Sequence, residues 1–366
     1  MTLIARMRFG GAPLYIGDAM LSVFTNRHLR QVSVPAYKDI NERLSDDAWG
    51  YARGLRQKLN VLGEGDLLVA WAGSELQARI ALRELEEASN AGARTVQDFF
   101  DVLGTKPANE LNDLTLLGTK ISREEGEERS LVANWAINCA QKTILDIDCR
   151  VAGSGAATFE GMLPALLSNP PMAVDDHSQM SRAWQVAMVA AGRLIGHEVH
   201  VGENLNELWG GAFEAAYISD HKIAKVTDTL HSFWGLERLN ERQASLVMLL
   251  KLLKYEYVGQ DLVVHVLDIP IEGPAEGSMH VVSPLLHPSS VRPAKPNFAH
   301  LNLTCHIMLL PNEEGVVENV TLVKTNVTSA SITAELTQEN TSIQIADALF
   351  DEIRTWIQPR CPLEVV

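Results

Sequence analysis

The pattern of apolar and polar positions starts with two extended apolar runs, TLIARMRF and APLYIGD, separated by Gly10-Gly11. That spacing predicts a β-hairpin whose returning strand ends on Gly17-Asp18. The polar stretch RQVSVPAYKDINERLSDDAWGYARG follows and reads as a surface loop with a short strand. A strand over Leu55 to Leu62, a turn over Gly63 to Asp66 and a strand over Leu67 to Ala72 come next, closed by a Gly73-Ser74 junction. Ser74 stands three residues before Gln77, a capping-box spacing, and Leu76, Ile80 and Leu85 are read as one face of the helix, which Asn90 and Gly92 end. A helix over Val96 to Leu103 precedes the acidic loop SREEGEER. SLVANWAI and TILDIDCRVAGSG read as strands, ATFEGMLPALL as a helix, SNPPMAVDDHSQ as a loop and Met180 to Ile195 as a long buried helix. GGAFEAAYIS and KIAKVTDTLHSFWG are expected to pair as a closing hairpin around Asp220-His221.

Up to Gly235 the order is therefore strands, two helices, strands, two helices, strands. Two sheets, each needing one face covered by a helix pair, fit an α+β fold built as a four-layer αββα sandwich, although the spacing alone also fits other α+β layers. Residues 1–235 form the first expected unit. Residues 236–366 read as a C-terminal α+β extension: a helix over Glu241 to Tyr255, the connectors EGPAEGS and HPSSVRPAKP, strands in HLNLTCHIMLL and ENVTLVKTNV, and an amphipathic helix over Ser342 to Ile357. No internal repeat at a solenoid period is visible.

Charge narrows the partners. A net charge of -15 over 366 residues, with no basic cluster, argues against nucleic acid and anionic membranes. The four cysteines (Cys139, Cys149, Cys305, Cys361) show no CxxC spacing, so they read as reduced thiols, with neither a disulfide framework nor a zinc site. Residues 1–20 lack the apolar core of a signal peptide and no run is long enough to span a bilayer, so a cytoplasmic protein is expected. The Asn-x-Thr/Ser sequons at Asn302, Asn319, Asn326 and Asn340 reflect Thr-rich strands.

The chemistry centres on Thr2. Removal of Met1 would leave a hydroxyl and a free α-amine on one residue. The amine's reference pKa, about 7.7 to 8.0, lets it act as base for its own hydroxyl. Asp18, at the end of the returning strand, can reach the same edge. Lys58 lies in the strand after the insertion, where an ammonium would favour the unprotonated amine and the developing alkoxide.

The stretches TLIARMRFGGAPLYIGDAMLS and RQKLNVLGEGDLLVAWAGSELQA resemble the opening of an N-terminal nucleophile hydrolase of the proteasome β-subunit kind, including its bacterial ring peptidase. The resemblance implies Thr2 as nucleophile, Asp18 and Lys58 as its electrostatic support, the Gly73 N–H as oxyanion donor and, through Gly153-Ser154-Gly155, Ser154 beside the terminal amine. WGGAFEAAYI resembles the family's late Gly-Gly, with Gly210 and Gly211 in place. It further implies a peptide or amide substrate, no cofactor and a homo-oligomer. Two positions depart from the pattern. Asn206 stands where the family has an Asp and Trp209 where it has a Ser, while Glu207, in an extended segment, would point away.

Other constellations are thinner. His197 and His200 do not form HExxH, and Cys305 and His306, as strand neighbours, face opposite sides. No GxxxxGKS, Rossmann fingerprint or GxSxG is present. The expectation is a threonine amidohydrolase, a proteasome-like peptidase; the alternatives are a catalytically silent subunit serving as an assembly or binding module, and a small-molecule amidase or acylase on the same fold.

Overall fold

The computed structural model describes residues 2–9, 12–23, 31–40, 44, 50–104, 111–123, 130–168, 179–200, 202–219, 222–240, 242–270, 272–289, 301, 303–311, 317–325, 332–336, 341–361 and 363–365. The Gly10-Gly11 turn, the SREEGEER loop in its acidic part, SNPPMAVDDHSQ up to Ser178, Asp220-His221 and most of HPSSVRPAKP lie outside the described residues, as does Met1.

The first hairpin forms as the pattern predicts. Strands β1 (Ile4–Phe9) and β2 (Ala12–Asp18) pair antiparallel with Ile4 opposite Gly17. Strand β3 (Met20–Val23) then pairs with β4 (Tyr51–Leu55), and β5 (Leu59–Leu62) starts a separate sheet. The single strand expected over Leu55 to Leu62 is thus broken. Gln57 sits at the break, buried, its amide donating to the carbonyls of Gln260 and Val282 at 2.7 Å each.

Strand β6 (Leu67–Gly73) leads into helices α1 (Glu75–Asn90) and α2 (Val96–Gly104), and β7 (Leu114–Arg123) and β8 (Ser130–Ile137) complete a four-stranded sheet in the order β5-β6-β7-β8. Ser74 caps α1 as expected, accepting from the Gln77 N–H. The buried face is Ala78, Ala81, Leu82 and Leu85; Leu76 and Ile80 are exposed, correcting the expected face. At about 100° per residue, Leu76 lies half a turn away from Leu85.

TILDIDCRVAG is a hairpin, not one strand: β9 (Lys142–Ile144) and β10 (Ile147–Ala152) join through Leu145-Asp146, both at positive φ. Helices α3 (Ala156–Ser168), α4 (Gln179–His200) and the short α5 (Glu203–Asn206) follow, then β11 (Phe213–Ser219) and β12 (Lys222–Lys225). The six-stranded sheet runs β12-β11-β2-β1-β10-β9. Strict alternation fixes its faces: Ile4 and Tyr15 pack with Leu59, Leu68, Ala70 and Leu117 of the four-stranded sheet, while Leu3, Ala5, Met7, Leu14 and Ile16 face the α3–α4 side. Tyr15 and Thr119 join their hydroxyls across the two sheets, and Arg6 donates to the carbonyls of Gly118 and Trp135.

Strand β13 (Thr229–Arg238) does not complete the β11–β12 hairpin. It joins a further sheet with β14 (Gln243–Val258), β15 (Asp261–Asp268), β16 (Glu276–Val282), β17 (Leu303–Pro311) and β18 (Val317–Thr325), in the order β16-β15-β14-β13-β17-β18. Strands β19 (Ile332–Leu336) and β20 (Thr341–Ile345), helix α6 (Asp347–Ile357) and β21 (Glu364–Val365), which pairs with β14, end the chain. The helix expected over Glu241 to Tyr255 is therefore a strand, and the one expected from Ser342 begins only at Asp347. Over Leu252 to Tyr255, strand β14 is buried on both faces: Leu253 and Tyr255 pack with α4, Leu252 with α6. A strand covered on both sides needs no polar alternation, so its apolar run reads equally as a helix.

The result is a mixed α+β protein. Its core on the α4 side is continuous, running from Leu3 and Met7 through Ala187, Val189 and Ala190 to Phe233, Val264, Cys305 and Ile307.

Candidate active site

The hairpin places Asp18 against Thr2. The Asp18 N–H donates to the Leu3 carbonyl at 2.9 Å, so the side chain falls beside the first residues of the chain. One carboxylate oxygen accepts from the Thr2 hydroxyl and, at 3.0 Å, from the Leu3 N–H; the other accepts from the Gly210 N–H at 2.8 Å. Both residues are buried. Burial raises the Asp18 pKa, against the opposing pull of Lys58 and of these hydrogen bonds.

Lys58 reaches the same region from β5. Gly17 lets β2 run close to it, since a Cβ there would lie 3.2 Å from the Lys58 Cβ. The Lys58 ammonium sits 3.8 Å from the centre of the Trp71 ring, a cation–π contact. Burial brings its pKa down to about 8, with Asp18 the strongest of the neighbouring carboxylates that hold it up. Its backbone is clamped: Glu214 accepts from the Lys58 and Leu59 N–H groups at 2.5 and 2.8 Å, and its other oxygen binds the Lys225 ammonium and the Tyr257 hydroxyl at 3.1 Å each.

Gly73 ends β6 at φ +105, and a Cβ there would stand 1.8 Å from the Asp113 carbonyl oxygen. Only glycine fits this approach. Gly73 and Lys58 line one cleft of about 830 Å³, together with Leu21, Arg53, Glu75 and Arg79. That volume suits a small molecule or a short peptide segment.

The Gly153-Ser154-Gly155 loop packs on Thr2. The Gly155 N–H donates to the Thr2 carbonyl at 3.2 Å, and a Cβ on Gly153 would come within 1.9 Å of that oxygen. The Ser154 hydroxyl, however, donates to the Glu207 carbonyl at 3.1 Å, away from Thr2. The structure thus brings Thr2 and Asp18 into contact, sets Lys58 within electrostatic reach, sets Gly73 on the Lys58 cleft and turns Ser154 to a different partner.

The departures take on local roles. Trp209 is buried with its ring against Gly155 and edge-on to Phe213, and its indole N–H donates to the Glu207 carboxylate at 2.8 Å. It supports the glycine loop from behind. The segment before it is the helical turn α5, followed by Leu208 at φ +57, so the extended geometry expected at Glu207 is corrected. Asn206 ends this turn. Asn204, not singled out in the sequence, makes the buried bonds, donating to Glu198 and to the Trp209 carbonyl at 2.9 Å each.

Glu198 and Glu214 were also missed. Glu214 left one signal, a lone carboxylate in the apolar run AFEAAYI. Cys305 and His306 face opposite sides, Cys305 toward α4 and His306 bonded to Ser232 at 2.7 Å. Among the described residues, no group of three or more His, Cys, Asp and Glu is placed to hold a metal ion.

No family model matches the chain, and no curated protein matches it. Among solved structures it is similar to the crystal structure of eukaryotic HslV from Trypanosoma brucei, with 14% identity over 59% of this chain and 98% of that chain and a TM-score of 0.34. That is a distant likeness of fold and no more.

Proposed function

We propose that the chain is an N-terminal threonine amidohydrolase, a peptidase of proteasome-like form whose nucleophile is Thr2 after loss of Met1. The observation that carries this reading is the buried hydrogen bond from the Thr2 hydroxyl to Asp18, with Lys58 electrostatically coupled to that carboxylate. We read the first two sheets and their helices as the four layers of an αββα sandwich, because Leu59 and Ile4 meet between the sheets while α1 and α4 lie on opposite outer faces.

The steps follow from this arrangement. The α-amine takes the proton of the Thr2 hydroxyl as the oxygen attacks an amide carbonyl. The Gly73 N–H stabilises the oxyanion, and the Lys58 ammonium, held charged by Asp18, lowers the cost of the alkoxide. The proton passes to the leaving amine, and water hydrolyses the acyl ester. Ser154 belongs to the loop that holds Thr2. Homo-oligomer formation and a cytoplasmic location are part of the same reading.

Intact-mass measurement after exposure to an epoxyketone or β-lactone probe tests it. One adduct per chain is expected, lost in Thr2→Ala with the fold kept by circular dichroism. Equal labelling of both forms removes the mechanism. A second reading is the catalytically silent subunit, favoured by the Ser154 bond to Glu207 and the burial of Thr2. Retention of Met1, or acetylation of the amine, in the mass of the natural N-terminus would establish that reading. A small-molecule amidase shares the chemistry and is separated from a peptidase by rates on short acyl amides against peptides.

A further inference from the structure

Behind Asp18 lies a second buried carboxyl group that the proposed steps leave unused. Glu198, near the end of α4, is 3% exposed. The Gly211 N–H donates to one of its oxygens at 2.8 Å, and the Asn204 side chain donates to the same oxygen at 2.9 Å. The neighbouring amide, Gly210 N–H, is the one that holds Asp18. Two consecutive amides therefore carry two different carboxyl groups, one in contact with the Thr2 hydroxyl.

Glycine is required for this. Gly210 and Gly211 lie at φ +115 and +82, and a Cβ on Gly210 would fall 1.9 Å from the Glu198 oxygen and 2.5 Å from the Asn204 nitrogen. The Gly210 carbonyl in turn accepts from the N–H groups of Ala19 and Met20, which follow Asp18. Glu198 is thus linked, through Gly211 and Gly210, to the Asp18 carboxylate and to the backbone that follows it.

We propose that Glu198 is a positioning residue for the Thr2 site, acting through the Gly210-Gly211 amides and Asp18. The inference rests on the reading of Thr2 as nucleophile. Its electrostatic consequence follows from the surroundings. Burial, reinforced by Asp18, raises the Glu198 pKa to about 7, while the Gly211 and Asn204 bonds and Lys251 of β14 oppose the rise. Tyr255 of β14 also faces Glu198, and burial keeps its hydroxyl protonated, while Tyr37 donates to the backbone carbonyls of Glu198 and Val199. Near neutral pH the Glu198 proton is therefore exchangeable. Its loss places a second negative charge behind Asp18, which favours the charged form of the terminal amine and opposes ionisation of Asp18. An amine that must be neutral to act as base then works only at higher pH.

Glu198→Gln keeps acceptors for Gly211 and Asn204 and removes the charge. The rate of probe addition to Thr2, measured from pH 6 to 9, is expected to shift to lower pH by about half a unit, with the maximum within about threefold of wild type. The Asp18 carboxyl, followed by NMR, is expected to titrate lower in Glu198→Gln, since the neighbouring negative charge is gone. Asn204→Ala, which removes a donor from Glu198 and keeps it protonated longer, is expected to shift the profile in the same direction and serves if Glu198→Gln does not fold. Superimposable profiles in a chain that is labelled at Thr2 overturn the role of Glu198 alone. If wild type is not labelled, the Thr2 reading falls; an unchanged Asp18 titration then also removes the link to Glu198, and a shifted one retains it.

Discussion

Thr2 illustrates how much a single residue can announce. Its hydroxyl is visible in the sequence, and the pairing of β1 with β2 brings Asp18 back to it. The glycines that frame it were legible as turns, but not for what they exclude. Gly153→Ala would place a methyl 1.9 Å from the Thr2 carbonyl oxygen at φ +98, whereas Gly92, at φ +96, has open space at the Cβ position. Gly92→Ala is expected to cost only the backbone term, about 1–2 kcal/mol. Gly153→Ala is expected to cost about 3 kcal/mol or more and to abolish probe labelling, since the loop must leave Thr2. Urea denaturation compares the two; equal losses would mean that the loop yields without disturbing the site.

Run length decided the strands that close turns bound, and misled where the apolar run is long. The hairpin β1–β2 is covered on both faces, but its strands are six and seven residues long, too short for a helix. Strand β14 runs for 16 residues, and the apolar stretch SLVMLLKLL carries no cue against a helix. The neighbouring β13 shows the cost of such burial. His231 on this strand is 2% exposed, edge-on to Tyr255, and burial pulls its pKa down to about 4. The unfolded chain, with a His near 6.5, binds more protons between those values, so stability falls as pH drops from about 6.5 toward 4. The loss attributable to this group is up to about 3 kcal/mol. Urea midpoints at pH 7 and pH 5 should converge for His231→Gln relative to wild type, whatever the variant's offset at pH 7. An identical pH dependence would assign the acid loss to other groups.

For the whole molecule, α4 is the shared element. It packs on β2 and β11 on one side and on β17 and β18 on the other. Ala187 and Ala190 are fully buried, and strand β13 crosses residue 235. Removing residues 229–366 would expose the α4 face now covered by Phe233, Leu253, Val264 and Ile307. Such a chain is expected to aggregate or to lose its cooperative thermal transition. A soluble 1–228 fragment with a sharp melt would show that the first unit folds alone.

Local chemistry in the sequence determined the first hairpin, the Ser74 cap, the glycine turns and the candidates Thr2, Asp18 and Lys58. These depend on residues near in the chain, and on short apolar runs that turn residues bound. Only the tertiary structure decided that Glu198 stands behind Asp18, that Glu214 clamps Lys58 from 156 positions away, and that Trp209 braces the Ser154 loop. Each of these contacts joins elements distant in sequence. A buried carboxyl group is recognisable as such only when the layer that covers it is in place, and no pattern along one strand or helix contains that layer.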